Sequence, residues 1–85
     1  MQAQNSMYYV YILQSQKDKT YYYGFTEDLK RRIAEHNSGK VEYTKKHNPY
    51  VLVWYCSFTE KEKAHAFEKY LKSSSGFSFS RKRLI

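Results

Sequence analysis

The 85-residue sequence has one cysteine, one proline and three glycines, and only eight acidic residues against fifteen lysines and arginines. Each shortage removes a class of protein. A lone Cys56 cannot form an intramolecular disulfide, so the chain reads as the product of a reducing, cytoplasmic compartment, with Cys56 a small core residue in the run VLVWYC. That run, residues 51–56, is the longest apolar stretch and falls far short of the ~20 residues a membrane-spanning helix needs. The opening MQAQNS lacks the basic-then-apolar order of a secretion signal. Gly24, Gly39 and Gly76 stand too far apart to build a glycine-rich phosphate loop. His36, His47 and His65 share no ligand spacing with one another or with Cys56, which argues against a zinc site of the usual type. No solenoid repeat is present, and no low-complexity segment exceeds three serines.

Positive charge and tyrosine are abundant. The net charge of +7 concentrates polyanions near the surface and makes nucleic acid or an acidic membrane surface the natural partner. Solubility alone is the plainer reading of the same charge. A chain of this length buries only somewhat over half of its unfolded surface, so residues 7–84 are expected to form one domain with a modest core, residues 1–6 a tail. No second domain is then available to supply specificity. Of the ten tyrosines, six fall between Tyr8 and Tyr23, where they serve either sheet packing, base stacking or chemistry.

Residues 8–13 and 20–25 are rich in aromatic and β-branched side chains and read as a hairpin around the polar QSQKDK. A helix over about residues 27–38 follows, with Thr26 as cap, Glu27 and Asp28 at the positive end of the dipole, and Gly39 as stop. The segment VEYTKKHNP reads as a basic, turn-rich connection. The run YVLVWYCSF, apolar at both parities, reads as a third strand covered on both faces. A second helix starts where Thr59 and Glu62 stand at capping-box spacing and ends near SSSG, and the closing FSFSRKRLI reads as a short helix or ordered tail. The order β-β-α-β-α predicts a small α/β (α+β) sandwich, a three-stranded, mainly antiparallel sheet with flanking helices.

At about 100° per residue, Leu29 and Ile33 define the buried stripe of the first helix. Arg32 and His36 fall in that sector, whereas Arg31 points away. Arg32 either snorkels past the core rim or serves a site, and His36 either makes a satisfied hydrogen bond there or serves the same site. In the second helix Glu68 lies beside Leu71 within the stripe of Ala64, Phe67 and Leu71, on whose centre Lys61, Lys63, Lys69 and Lys72 need not intrude. A carboxylate so placed needs a cationic partner or a metal ion, and Mg²⁺ commonly takes one or two protein carboxylates and completes its shell with water and phosphate. On the strands, Tyr9, Tyr11 and Leu13 share one face, as do Tyr22 and Gly24. Gly24 permits close approach of a phosphate or another chain, or simply tight packing.

Taken together, YVY at residues 9–11, YYG at 22–24, LKRRIAEH at 29–36 and Glu68 within HAFEKYLK resemble the GIY-YIG nuclease superfamily, specifically its short stand-alone bacterial members. The resemblance extends over about residues 7–84 and includes YTKKHNPY and SRKRL. It implies that Tyr11 assists deprotonation of the attacking water, that Tyr22 and Gly24 match the second motif, and that Arg32 and His36 match the helix arginine and histidine. Glu68 would be the metal-binding glutamate. Tyr9 and Val10 replace the Gly-Ile of the first motif, Tyr23 replaces the middle isoleucine of the second, and the asparagine that many nuclease members carry after the second helix has no clear match.

The implied function is a Mg²⁺- or Mn²⁺-dependent DNA endonuclease of low sequence specificity in DNA repair or recombination, without a small-molecule cofactor and without a membrane partner. Tyr11, Tyr22, Arg32, His36 and Glu68 would line the site. Gly24, Lys30, Arg31, Lys45, Lys46, Arg81, Lys82 and Arg83 would contact DNA, the basic residues through salt-sensitive phosphate contacts. Two other readings stay open: a non-catalytic nucleic-acid-binding domain that keeps the fold, and a protein-interaction domain whose basic face takes an acidic partner.

Overall fold

The computed structural model describes residues 6–85. The element order is β1 (Tyr8–Ser15), β2 (Tyr21–Thr26), α1 (Leu29–Asn37), α2 (Glu42–Lys45), β3 (Tyr50–Phe58), α3 (Lys61–Leu71) and α4 (Ser74–Arg83). The three strands form one antiparallel sheet in the order β2-β1-β3. The expected sandwich is present, with helices on both faces, and the closing segment is a helix rather than a tail.

The sheet splits the core by strand parity. Val10, Ile12 and Tyr23 point to the face covered by Ala64, Phe67 and Leu71 of α3 and by Leu84 and Ile85 after α4. Tyr11, Leu13 and Tyr50 point the other way, where Leu29 and Ile33 of α1 cover them. Register explains the grouping: Tyr11 stands opposite Gly24 and Leu13 opposite Tyr22, so these four share the α1 face.

The strand covered on both faces is β1, not β3. Val10, Tyr11, Ile12 and Leu13 are at most 1% exposed, whereas Val51, Leu52 and Tyr55 of β3 are 43%, 36% and 51% exposed. The cause is position: β3 is an edge strand, and the nine-residue α1 brings only two apolar side chains to its face.

Three local expectations also change. Asp28 rather than Thr26 caps α1, accepting from the Arg31 amide at 3.1 Å, because β2 continues through Thr26, whose hydroxyl accepts from the Asp28 amide instead. Glu60 rather than Thr59 takes the N-cap position of α3, and no Thr59–Glu62 box forms. The turn-rich connection contains the single turn of α2.

At the other end, the Ser73 hydroxyl caps α4 by accepting from the Gly76 amide. A Cβ on Gly76 would overlap the Tyr70 carbonyl, so only glycine lets the start of α4 lie this close to the end of α3. The buried Ser80 hydroxyl meets the Tyr23 hydroxyl at 2.7 Å, tying α4 to β2.

Candidate active site

Tyr11 sits in the middle of the central strand, 1% exposed. Its ring lies over the backbone of Gly24, and a Cβ there would overlap the ring carbons Cζ and Cε1 and the hydroxyl. Of the readings open for Gly24, close approach of a phosphate or another chain or tight packing, the structure shows tight packing, by the Tyr11 phenol.

The phenol oxygen is 2.8 Å from His36 Nε2, and His36 Nδ1 is 2.8 Å from Thr44 Oγ1. Thr44 Oγ1 donates to the Val41 carbonyl at 3.3 Å. That hydroxyl proton being committed, Thr44 accepts from His36 Nδ1–H, which leaves Nε2 unprotonated to accept from the Tyr11 O–H. Burial and then the positive charge of Arg32 hold the His36 pKa down to about 4, so the imidazole is neutral at pH 7. Burial first, and the neighbouring Tyr22 second, push Tyr11 up to about 12, while Arg32 opposes the rise. Tyr11 is thus a neutral phenol whose proton faces a neutral imidazole.

Tyr22 packs edge-on against His36 with ring centroids 4.7 Å apart and lies 6.3 Å from Tyr11. The Tyr43 ring on α2 stands 5.7 Å beyond Tyr22. Asn37, at the end of α1, brackets the start of β3: its side chain donates to the Tyr50 carbonyl at 3.0 Å and accepts from the Tyr50 amide at 2.7 Å.

Arg32 pairs with Glu35 at 3.0 Å, which raises its own pKa, and its side chain is 35% exposed. Glu68 is on α3, with a side chain only 15% exposed and a charge that reaches Tyr11. Its Oε2 is 2.7 Å from the Lys72 ammonium, and its Oε1 is 3.8 Å from His65 Nδ1. The cationic partner expected for Glu68, Arg32 or a lysine, is therefore Lys72, one helical turn on. Lys72 also lines a groove of about 410 Å³ along the open edge of β2, with Tyr21, Tyr22, Tyr23 and Tyr43.

The five expected site residues thus gather into one neighbourhood. The basic residues expected at DNA divide. Lys45 and Lys46 are exposed on the segment that carries Tyr43. Arg31 is exposed but flanked by Asp28 at 3.6 Å and Glu35 at 3.9 Å, and Lys30 lines a separate hollow with Glu27, Asp28 and Tyr55. Arg81 lies over the rings of Tyr21 and Phe77 at about 5.5 Å, and Lys82 and Arg83 end α4 in solvent.

Thr44, Tyr43 and Lys72 were not found from the sequence. Nothing in a polar threonine within a basic connection marks it as buried. The spacing of Glu68 and Lys72, four residues apart on a helix, was an available signal.

The model of the GIY-YIG catalytic domain matches residues 7–82. The chain belongs to the GIY-YIG family. The domain implies a nuclease-type function. A UPF0213 protein of Streptococcus pneumoniae is 43% identical over 65 residues, which make up 75% of this chain and 65% of the relative. One of Streptococcus pyogenes is 45% identical over 75% of this chain and 70% of its own length. The chain thus spans about two thirds of the length of these relatives. The solution NMR structure of the UPF0213 protein BH0048 of Bacillus halodurans superposes with a TM-score of 0.56 at 35% identity, covering 92% of this chain and 86% of that one. Among the described residues, no helix is long and apolar enough to cross a membrane.

Family nucleases are generally metal-dependent. Among the described residues no group of three or more His, Cys, Asp and Glu side chains forms a cluster able to hold a metal ion. Glu68 nevertheless suits a hard divalent cation that takes one protein carboxylate and fills its shell with water and phosphate oxygen. Its carboxylate is largely shielded, and a cation there would compete with the Lys72 ammonium for Oε2.

Proposed function

We propose that the chain is a single-domain, Mg²⁺- or Mn²⁺-dependent endonuclease of the cytoplasm. It hydrolyses DNA phosphodiester bonds with low sequence specificity, in repair or recombination. The observation that carries this reading is the buried Tyr11 phenol hydrogen-bonded to a neutral His36.

A phenol with a pKa of about 12 is a poor phenolate base at pH 7, but its oxygen can take a proton from a water while its own proton passes to His36 Nε2. The water oxygen bonds to phosphorus, the bond to the leaving sugar oxygen breaks, one proton ends on the imidazole, and the leaving oxygen takes its proton from solvent. In the resting protein, charging an imidazole of pKa about 4 at pH 7 costs about 4 kcal/mol. The negative phosphate lowers that cost by offsetting the charge of Arg32. Arg32 in turn stabilises charge gathering on the phosphoryl oxygens. A cation held by Glu68 would polarise the phosphate and stabilise the leaving oxygen.

The test is incubation of single-stranded, duplex and branched DNA with the protein, with and without Mg²⁺ or Mn²⁺, against Tyr11→Phe and Glu68→Ala. Metal-dependent cleavage lost in both variants is expected, and cleavage that survives both overturns the site assignment. A neutral relay also predicts a cleavage rate nearly flat between about pH 6 and about pH 9, whereas a phenolate base would give about a tenfold rise per pH unit.

A non-catalytic nucleic-acid-binding domain is the second reading. The Glu68–Lys72 ion pair favours it, because the carboxylate is already satisfied without a metal. Salt-sensitive binding with no cleavage on any substrate would establish it.

A further inference from the structure

We propose that the groove on the open edge of β2 is a stacking subsite for one unpaired nucleobase beside the phosphate held at Tyr11. Its place next to a reacting phosphate rests on the nuclease reading above; its affinity for a base rests on its own residues. Four tyrosines and Lys72 line it. Tyr43 is 68% exposed, the most open large apolar side chain among the described residues. Its ring meets Tyr22 at 5.7 Å and His47 at 6.2 Å, both tilted, and most of the residue is in solvent.

Exposed aromatics are ordinary, but this one is held in place. The residue after it, Thr44, is fully buried on His36, and the loop that follows is fixed by a 2.6 Å contact between His47 and Asp18. A side chain fixed in water at an open face has already lost the freedom that binding a flat ring would otherwise cost it.

The occupant follows from the chemistry. Phenol rings stack on any base through its π-face, without regard to sequence. Lys72 on one side of the groove, and Lys45 and Lys46 on the Tyr43 segment, complement the phosphates on either side of that base. A base within a duplex has both faces covered by its neighbours, so only one out of the stack can lie against Tyr43. Tyr22 lines the groove and also touches His36, so a base bound here brings its own phosphate beside Tyr11. The substrate class is DNA with an unpaired nucleotide at the cut, a single strand or a flap, rather than continuous duplex.

The test is binding in EDTA, where no cleavage occurs, of a single-stranded oligonucleotide carrying one 2-aminopurine and of its duplex. Wild type and Tyr43→Phe are expected to alter the 2-aminopurine fluorescence on the single strand and to bind it equally. Tyr43→Ala should abolish the fluorescence change and weaken single-strand binding about tenfold, leaving duplex binding within about twofold. Equal losses on both forms, no loss on either, an unchanged fluorescence response in Tyr43→Ala, or no binding at all overturns the subsite. Because the measurement needs no catalysis, loss of the nuclease reading through an inactive protein would leave a Tyr43-dependent result standing.

Discussion

The two faces of β1 are built from adjacent residues and do opposite things. Val10 and Ile12 enter a dry layer against Ala64, Phe67 and Leu71, held by shape and apolar contact. Tyr11, between them, enters a layer in which a phenol, an imidazole and a hydroxyl form one hydrogen-bonded line. The first layer tolerates loss of a side chain at the expense of stability. In the second, every polar atom depends on its neighbour, and removing one leaves another buried and unpaired. The α3 and α4 face therefore carries most of the apolar core, and the α1 face most of the candidate site, which Glu68 reaches from α3.

The largest expected effects test that division directly. Leu71→Ala, on the fully buried α3 face, should lower unfolding free energy by about 2–5 kcal/mol in urea titration and leave the cleavage rate of the folded fraction within a few-fold. Tyr11→Phe should do the reverse, lowering cleavage by about 10²–10⁴ and destabilising by only about 1–3 kcal/mol through the orphaned His36 nitrogen. If the two variants behave alike, the faces are not separate.

A middle-sized effect concerns acid. The folded pKa of His36 is depressed from 6.5 to about 4, so on acidification the unfolded chain takes up the proton first. Stability is full above pH 6.5 and is lost as pH falls toward 4, amounting to about 3 kcal/mol. Urea titrations at both ends of that window should show this loss in wild type and a much smaller one in His36→Gln. Equal losses would mean that His36 is not buried as a neutral ring.

The smallest effect is at Lys72. With half of its side chain exposed, its pair with Glu68 contributes at most about 1 kcal/mol. Lys72→Met should tighten Mn²⁺ binding a few-fold, read by the electron paramagnetic resonance of the free ion, because the ammonium no longer competes for the carboxylate.

Much of the α1 face was legible because it obeys simple periods. Alternation set Tyr11 with Leu13 and Tyr22 with Gly24, the family resemblance joined the two groups, and the helical turn set Arg32 and His36 beside Leu29 and Ile33. What escaped depends on contacts between segments distant in sequence. Thr44 is buried only because a single turn of helix folds back onto α1. The apolar run of β3 looked central because apolarity at both parities does not distinguish a covered strand from an edge strand with exposed valine, leucine and tyrosine. The misplaced cap of α1 followed a strand that ran one residue further than its apolar residues indicated.

Ser15 has a consequence for how the molecule breathes. Its buried hydroxyl donates to the His47 carbonyl at 2.6 Å and accepts from the amides of Lys17 and Asp18, so with the His47–Asp18 contact it joins the hairpin tip to the segment bearing Tyr43 and Thr44. In native-state hydrogen exchange the amides of these two stretches should open together, as one cooperative unit less stable than β1. Each such opening would uncouple Thr44 from His36, so the roof of the site and the tip of the hairpin share a single lifetime.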